Sequence, residues 1–244
     1  MPVFVAGAVC PHPPVLVPEL AGGAVGELDE LRRACGHAVD AMLAARPDLV
    51  VVVGRSDDDH GDEIRGLPAG SWGALTPYGV PVHVRPPGTD RDRAPELPLS
   101  LTIGAWLLGR AGWAGPTAWI TTGPEPSRPR VEACGRELAA RAGRVAVLAM
   151  GAGSARRLAT GPGGLDPAAP AYDELVTTAL GAADTATLLG LDSAEGARLL
   201  VTGLGPWQVL AAAAEAGAQA PSAQLLHAAT PYGVTYLVAS WVTG

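Results

Sequence analysis

Residues 3–20 read VFVAGAVCPHPPVLVPEL. Val3 to Val9 is an apolar run with β-branched residues, long enough for one buried strand. It stops at Cys10-Pro11-His12-Pro13-Pro14, where the prolines after His12 oppose a helix and favour an extended loop. A histidine is thereby presented on a stiffened loop at the end of a core strand, where open α/β sheets gather ligand-handling groups. The plain alternative is a surface histidine in a proline-rich turn.

The chain that follows repeats the pattern. Leu28, Leu31, Cys35, Ala38 and Met42 make a helical stripe within Glu27–Ala45, with His37 beside it and no role assigned. Leu49 to Val53 is a continuous apolar run of the kind found in central parallel strands. This β-α-β opening implies a mainly parallel sheet, and adjacent strands one and two. The second strand ends in Gly54-Arg55-Ser56-Asp57-Asp58-Asp59-His60, so it too delivers a histidine, here inside an acidic cluster. Two neighbouring strands ending in histidine loops can bring both imidazoles to one rim. Imidazole and carboxylate together are the ingredients of a non-haem iron, zinc or manganese site. A solvated acidic loop with an incidental histidine is the alternative.

Farther on, Pro68–Pro81 reads as a rim loop, Val80–Val84 as a short strand carrying His83, and Arg85–Pro98 as exposed chain. Helices are expected over Ser100–Gly112 and Pro129–Ala142, and strands over Thr117–Thr121 and Arg144–Met150. Gly151-Ala152-Gly153-Ser154-Ala155-Arg156-Arg157 is a glycine turn. It fails as a dinucleotide fingerprint and as a nucleophile elbow, leaving an ordinary turn or an anion cradle aided by Arg156 or Arg157. Helical segments follow over Ala171–Leu180, Asp184–Leu189, Ser193–Thr202 and Pro206–Ala216. Strands at Ala223–Ala228 and Val234–Trp241 close the sheet, partly antiparallel. Thr-Pro-Tyr-Gly-Val occurs twice, at Thr76–Val80 and Thr230–Val234, as a turn feeding a strand.

The expected fold is therefore α/β: one domain over residues 1–244, with a mostly parallel, mixed central sheet and helices on both faces. Composition agrees, with 48% hydrophobic residues, few aromatics, and much Ala and Gly. All 17 basic residues are arginine and the formal charge is −7, with no basic run, so nucleic acid is disfavoured as a partner. No apolar stretch is long enough to span a membrane, and the apolar first residues lack the charged flank of a signal peptide. Cys10, Cys35 and Cys134 are too few and too scattered for a disulfide framework, which points to a reducing cytoplasm. A homo-oligomer remains open. Cys10 lies two residues from His12, but burial is its simpler role.

With His12 and His60 after the first two strands, the chain resembles the class III extradiol ring-cleavage dioxygenases. These are LigB-like proteins, the family of the protocatechuate 4,5-dioxygenase catalytic subunit, with Memo-like proteins as relatives. The resemblance runs over nearly the full length on short motifs: Pro11-His12-Pro13 and Asp59-His60 match the two iron-binding loops. It implies Fe(II), or another divalent metal such as Zn, held by His12 and His60 with Asp59 beside them. The implied partner is a small aromatic or catechol-like ligand. Two family signatures are absent. Ala155 stands where the catalytic acid/base histidine would fall, and Trp207 or Gln208 where an iron-binding glutamate would open the last helix. Asp57, Asp58 or Asp59 could supply a third ligand, and His227 a catalytic proton-transfer group.

Ring opening needs both catechol oxygens on the metal, open positions for dioxygen, and a base for the second hydroxyl proton. The reading that follows is a dioxygenase-like metalloprotein with a partial His-His site and weakened or lost ring cleavage. The alternatives are a non-catalytic metabolite- or protein-binding member of the fold, or a zinc-dependent hydrolase using the same cleft.

Overall fold

The computed structural model describes residues 3–57, 61–85, 95–141 and 143–244. Strand β1 (Val3–Cys10) leads through a 3-10 turn at Pro14–Leu16 into α1 (Pro18–Ala21) and, after a second 3-10 segment, α2 (Asp29–Ala44). The loop after His12 is thus shorter than expected. Pro14 and Pro18 sit in the first turn of helical segments, where a missing N–H costs nothing. Then come β2 (Leu49–Arg55), β3 (Ile64–Leu67), β4 (Gly73–Ala74), β5 (His83–Val84), α3 (Leu99–Arg110), β6 (Thr117–Thr122), α4 (Arg128–Ala140) and β7 (Arg144–Met150). The chain ends with α5 (Ala169–Ala182), α6 (Thr185–Leu189), α7 (Ser193–Arg198), α8 (Leu204–Glu215), β8 (Ser222–Ala229) and β9 (Tyr236–Val242).

Among the described residues, seven strands form one mixed sheet in the order β3-β6-β2-β7-β1-β9-β8. The four central strands β6, β2, β7 and β1 are parallel, while β3, β9 and β8 pair antiparallel to their neighbours. The architecture is α/β with helices on both faces. Leu31, Cys35, Ala38 and Met42 of α2 and Leu101 and Ile103 of α3 cover one face. Val131 and Leu138 of α4, with α5, α6 and α8, cover the other. Helix α8 is buried from Leu204 to Ala214, because it lies between the sheet and outer helices, which explains its apolar composition on every side.

One topological expectation is corrected. Strands β1 and β2 are not neighbours, because β7 lies between them and pairs in parallel with both. Every residue of β7 after Arg144 is buried, as expected of the strand at the centre of the sheet, covered on both faces. Local differences have local causes. The helix expected to reach Thr202 stops at Arg198, since Leu200 adopts a left-handed φ of 58°. The strand expected over Val80–Val84 is only β5, paired with β4 away from the main sheet. Ile64–Leu67, to which the sequence assigned no element, is an edge strand on β6. No described helix is long and apolar enough to cross a membrane.

The end of β7 packs backbone against backbone. A Cβ on Gly151 would fall 2.1 Å from the Gly203 Cα, whereas one on Gly36, in the middle of α2, would meet nothing within 4 Å. Gly151→Ala should therefore destabilise the fold by about 1–3 kcal/mol. Gly36→Ala should instead stabilise it by about 0.5–1 kcal/mol through helix propensity. Urea unfolding of the two variants against wild type measures both.

Candidate functional site

Adjacent strands β1 and β7 are parallel, but their chains leave in opposite directions. The connection from β1 passes through α2 on one face, and that from β7 through α5 to α8 on the other. Such a divergence opens a crevice outside the carboxyl ends of the strands, the usual ligand position in open α/β sheets. His12 stands at that point, two residues beyond Cys10.

His12 is half-buried as a residue, yet its Nδ1 is sealed from solvent and has no hydrogen-bond partner among the described residues. Burial pushes its pKa down to about 4, assisted by the charge of Arg55. The imidazole is therefore neutral at physiological pH, the form that binds a metal. The influence of Arg55 has a geometric meaning as well. Arg55 ends β2, on the far side of β7, so its charge acts on His12 across the end of that strand.

The remaining expected residues fall out differently. His60 and Asp59, with Asp58, lie outside the described residues. Asp57 is turned to the amino end of α3, its Oδ2 accepting from the Leu99 N–H at 3.3 Å. Among the described residues, no three His, Cys, Asp or Glu side chains are grouped to hold a metal ion. Cys10 faces α2: hydrogen bonding with Cys35, together with burial, holds its thiol well above the usual range. It is a core thiol. His227 on β8 pairs with Val238, one step beyond the Val9–Ala239 pair, so its backbone is level with the end of β1. Strand β9 intervenes, which sets the two backbones about 10 Å apart. Its Nδ1 is 3.8 Å from Oε1 of Glu30, an exposed carboxylate on α2. His37 and His83 are exposed on α2 and β5.

The glycine turn after β7 is fully committed to structure. Gly151 N–H donates to Cys10 O and Gly153 N–H to Thr235 O. Ala152 N–H donates to Thr202 Oγ1, and Ser154 N–H to Asp173 Oδ1 at 2.8 Å. Ala155 and Arg157 donate to Leu199 O and Gly233 O, and Arg156 N–H to Ser154 Oγ. With every amide from Gly151 to Arg157 already donating, the anion-cradle alternative is excluded and the ordinary turn holds. Ser154 Oγ itself donates to Leu199 O at 2.9 Å. Sequence reading missed the residue that organises this turn, Asp173. Its buried carboxylate also accepts from Arg157 Nη1 at 2.9 Å and Thr235 Oγ1 at 2.6 Å. An acid among the apolar residues of a helix was the available signal.

The two positions of the absent family residues are equally clear. Ala155 offers no titratable group. Gln208 is buried in α8, with Nε2 donating to Leu191 O at 3.4 Å on the helical side, and the Trp207 indole lies against Gly203. Neither supplies a carboxylate. Beside the β2 end, a cleft of about 340 Å³ is lined by Ser56, Asp57, Arg65, Glu96 and Thr121.

The fold is similar to that of JW3007, an uncharacterized protein from Escherichia coli K12. Its crystal structure aligns over 98% of this chain and 99% of that one, with a TM-score of 0.50 and 15% sequence identity. At that identity the likeness shows the fold alone. No protein-family model and no curated protein sequence matches the chain.

The depressed His12 pKa has a consequence for the metal-free protein. Between pH 6.5 and about 4 the unfolded chain binds a proton at this position that the folded chain refuses. Its contribution to stability is thus complete above pH 6.5 and is lost as pH falls towards 4, by about 2–3 kcal/mol. Urea unfolding after chelator treatment, at pH 7.5 and pH 4.5, should show a steeper loss for wild type than for His12→Gln.

Proposed function

We propose that this chain is a divalent-metal protein related to the class III extradiol dioxygenases, with a partial two-histidine site and weakened or lost ring cleavage. His12 and His60 are the ligands, Asp59 the adjoining carboxylate, and Fe(II) the ion, with Zn as an alternative. The observation that carries this reading is the neutral His12 at the divergence of β1 and β7, with a buried Nδ1 that no group among the described residues satisfies. A buried polar atom without a partner costs free energy unless something absent from the polypeptide completes it. The charge of Arg55, at the end of β2, acts on His12, which supports convergence of the loops after β1 and β2 even though β7 separates their strands.

A divalent ion held there would bind a catechol-like ligand through its oxygens and draw electron density from it. His12 fits that ion. The position expected for a third, anionic ligand does not, since Gln208 is uncharged and bonded to Leu191 O, and Ala155 leaves no base in the turn. No ring-opening step is assigned for that reason. Loss of a positioned base alone costs about 10²–10⁴-fold in rate. The same losses, with the polar cleft beside Asp57, favour the second reading: a non-catalytic member of the fold that binds a small metabolite.

Anaerobic loading with Fe(II) or Zn(II), followed by elemental analysis, tests the site. Wild type should retain one ion per chain, and His12→Ala and His60→Ala should each weaken binding by at least about tenfold. Equal metal in all three proteins overturns the ligand assignment. A catechol panel in air should give little or no yellow ring-opened product from the loaded wild type; rapid yellow product overturns the weakened-activity assignment.

A further inference from the structure

The sheet has two edges, and they differ. Strand β3 is four residues long and carries Arg65, ion-paired with Glu63 at 2.9 Å. Short, charged edges resist pairing with other chains. Strand β8 is eight residues long and reads Ser-Ala-Gln-Leu-Leu-His-Ala-Ala, with no lysine, arginine, acid or proline. It pairs with β9 on one side only. Beyond that ladder, Ser222–Ala229 form no backbone hydrogen bond among the described residues. The outward N–H and C=O groups of a long strand are thus left for a partner. One guard is present: the register shifts between Leu225 and His227, a bulge that bends the strand but leaves regular runs on either side.

We propose that two copies of this chain associate through β8, antiparallel about a two-fold axis, so that their sheets become one. Two features select a second copy as the occupant. An antiparallel strand edge is complementary to itself under a two-fold rotation, so both copies use the same groups. The chain also carries a net charge of −7, which opposes contact between copies over most of the surface, whereas β8 is a neutral strip. Apolar area is available at the same place. Leu225 is 36% exposed on β8, and α5, which packs across β8, presents Leu175 at 48% exposure. Pairing two β8 strands would bring the two α5 helices side by side and cover these leucines.

Light scattering coupled to size exclusion, at about 100 µM, reads the outcome, because self-association depends on protomer concentration. Wild type should elute at twice the 24.7 kDa chain mass. Ser222, Gln224 and Ala228 are exposed, so lysine at all three, or glutamate at all three, can be carried without repacking the core. Like charges set opposite each other should raise the dimer dissociation constant about 10–100-fold in either triple variant. An equimolar mixture of the lysine and glutamate triples should recover the dimer, a result that misfolding of either protein would not give. A monomeric wild type, triple variants that remain dimeric, or a mixture that stays monomeric each overturns the proposal. Metal content plays no part in any of these outcomes.

Discussion

The central constraint is burial of four parallel strands on both faces at once. Strands β6, β2, β7 and β1 have helices above and below, so the side chains of β2, β7 and β1 are apolar at nearly every position. A parallel strand must be joined to the next by a crossover on one face or the other. In this chain the crossovers after β1 and β7 take opposite faces, although the two strands are neighbours. The crevice that receives His12 follows from that choice.

Once the crevice exists, its floor has to be closed without wasting backbone groups. The turn from Gly151 to Arg157 solves this by spending every N–H on neighbouring elements, with Asp173 from α5 as the buried acceptor that joins the turn, Arg157 and the start of β9. The glycines permit close approach: Gly151 against Gly203, and Gly153 against Asp173 and Thr235. A floor so tightly bonded has no spare donors for an anion. The His12 imidazole stands at the rim, and the polar cleft lies beside the β2 end.

The sheet's edges reflect a different balance. At the β3 edge, shortness and Arg65 limit pairing. At the β8 edge nothing charged intervenes, and the strand carries its own apolar residue outward. An edge of that kind is stable only when water or another strand satisfies it.

Much of the fold was legible in the sequence, because periodicity reports burial directly. The apolar run Val3–Val9, the valines of Leu49–Val53, the stripe through Leu31, Cys35 and Met42, and the glycine turn after Met150 each announced their element. Position among neighbours was not legible: strand order is decided by which strand loses least by being enclosed on both faces, and that places the later β7 between β1 and β2. The candidate site divides the same way. Sequence alone put His12 on a proline-bounded loop at a strand end and showed that Ala155 and Gln208 lack the expected chemistry. Tertiary structure decided that His12 is half-buried and neutral with its Nδ1 sealed from solvent, that Asp57 serves α3, and that Asp173 holds the turn. Those outcomes depend on desolvation and on contacts between residues far apart in the chain, which no local pattern encodes.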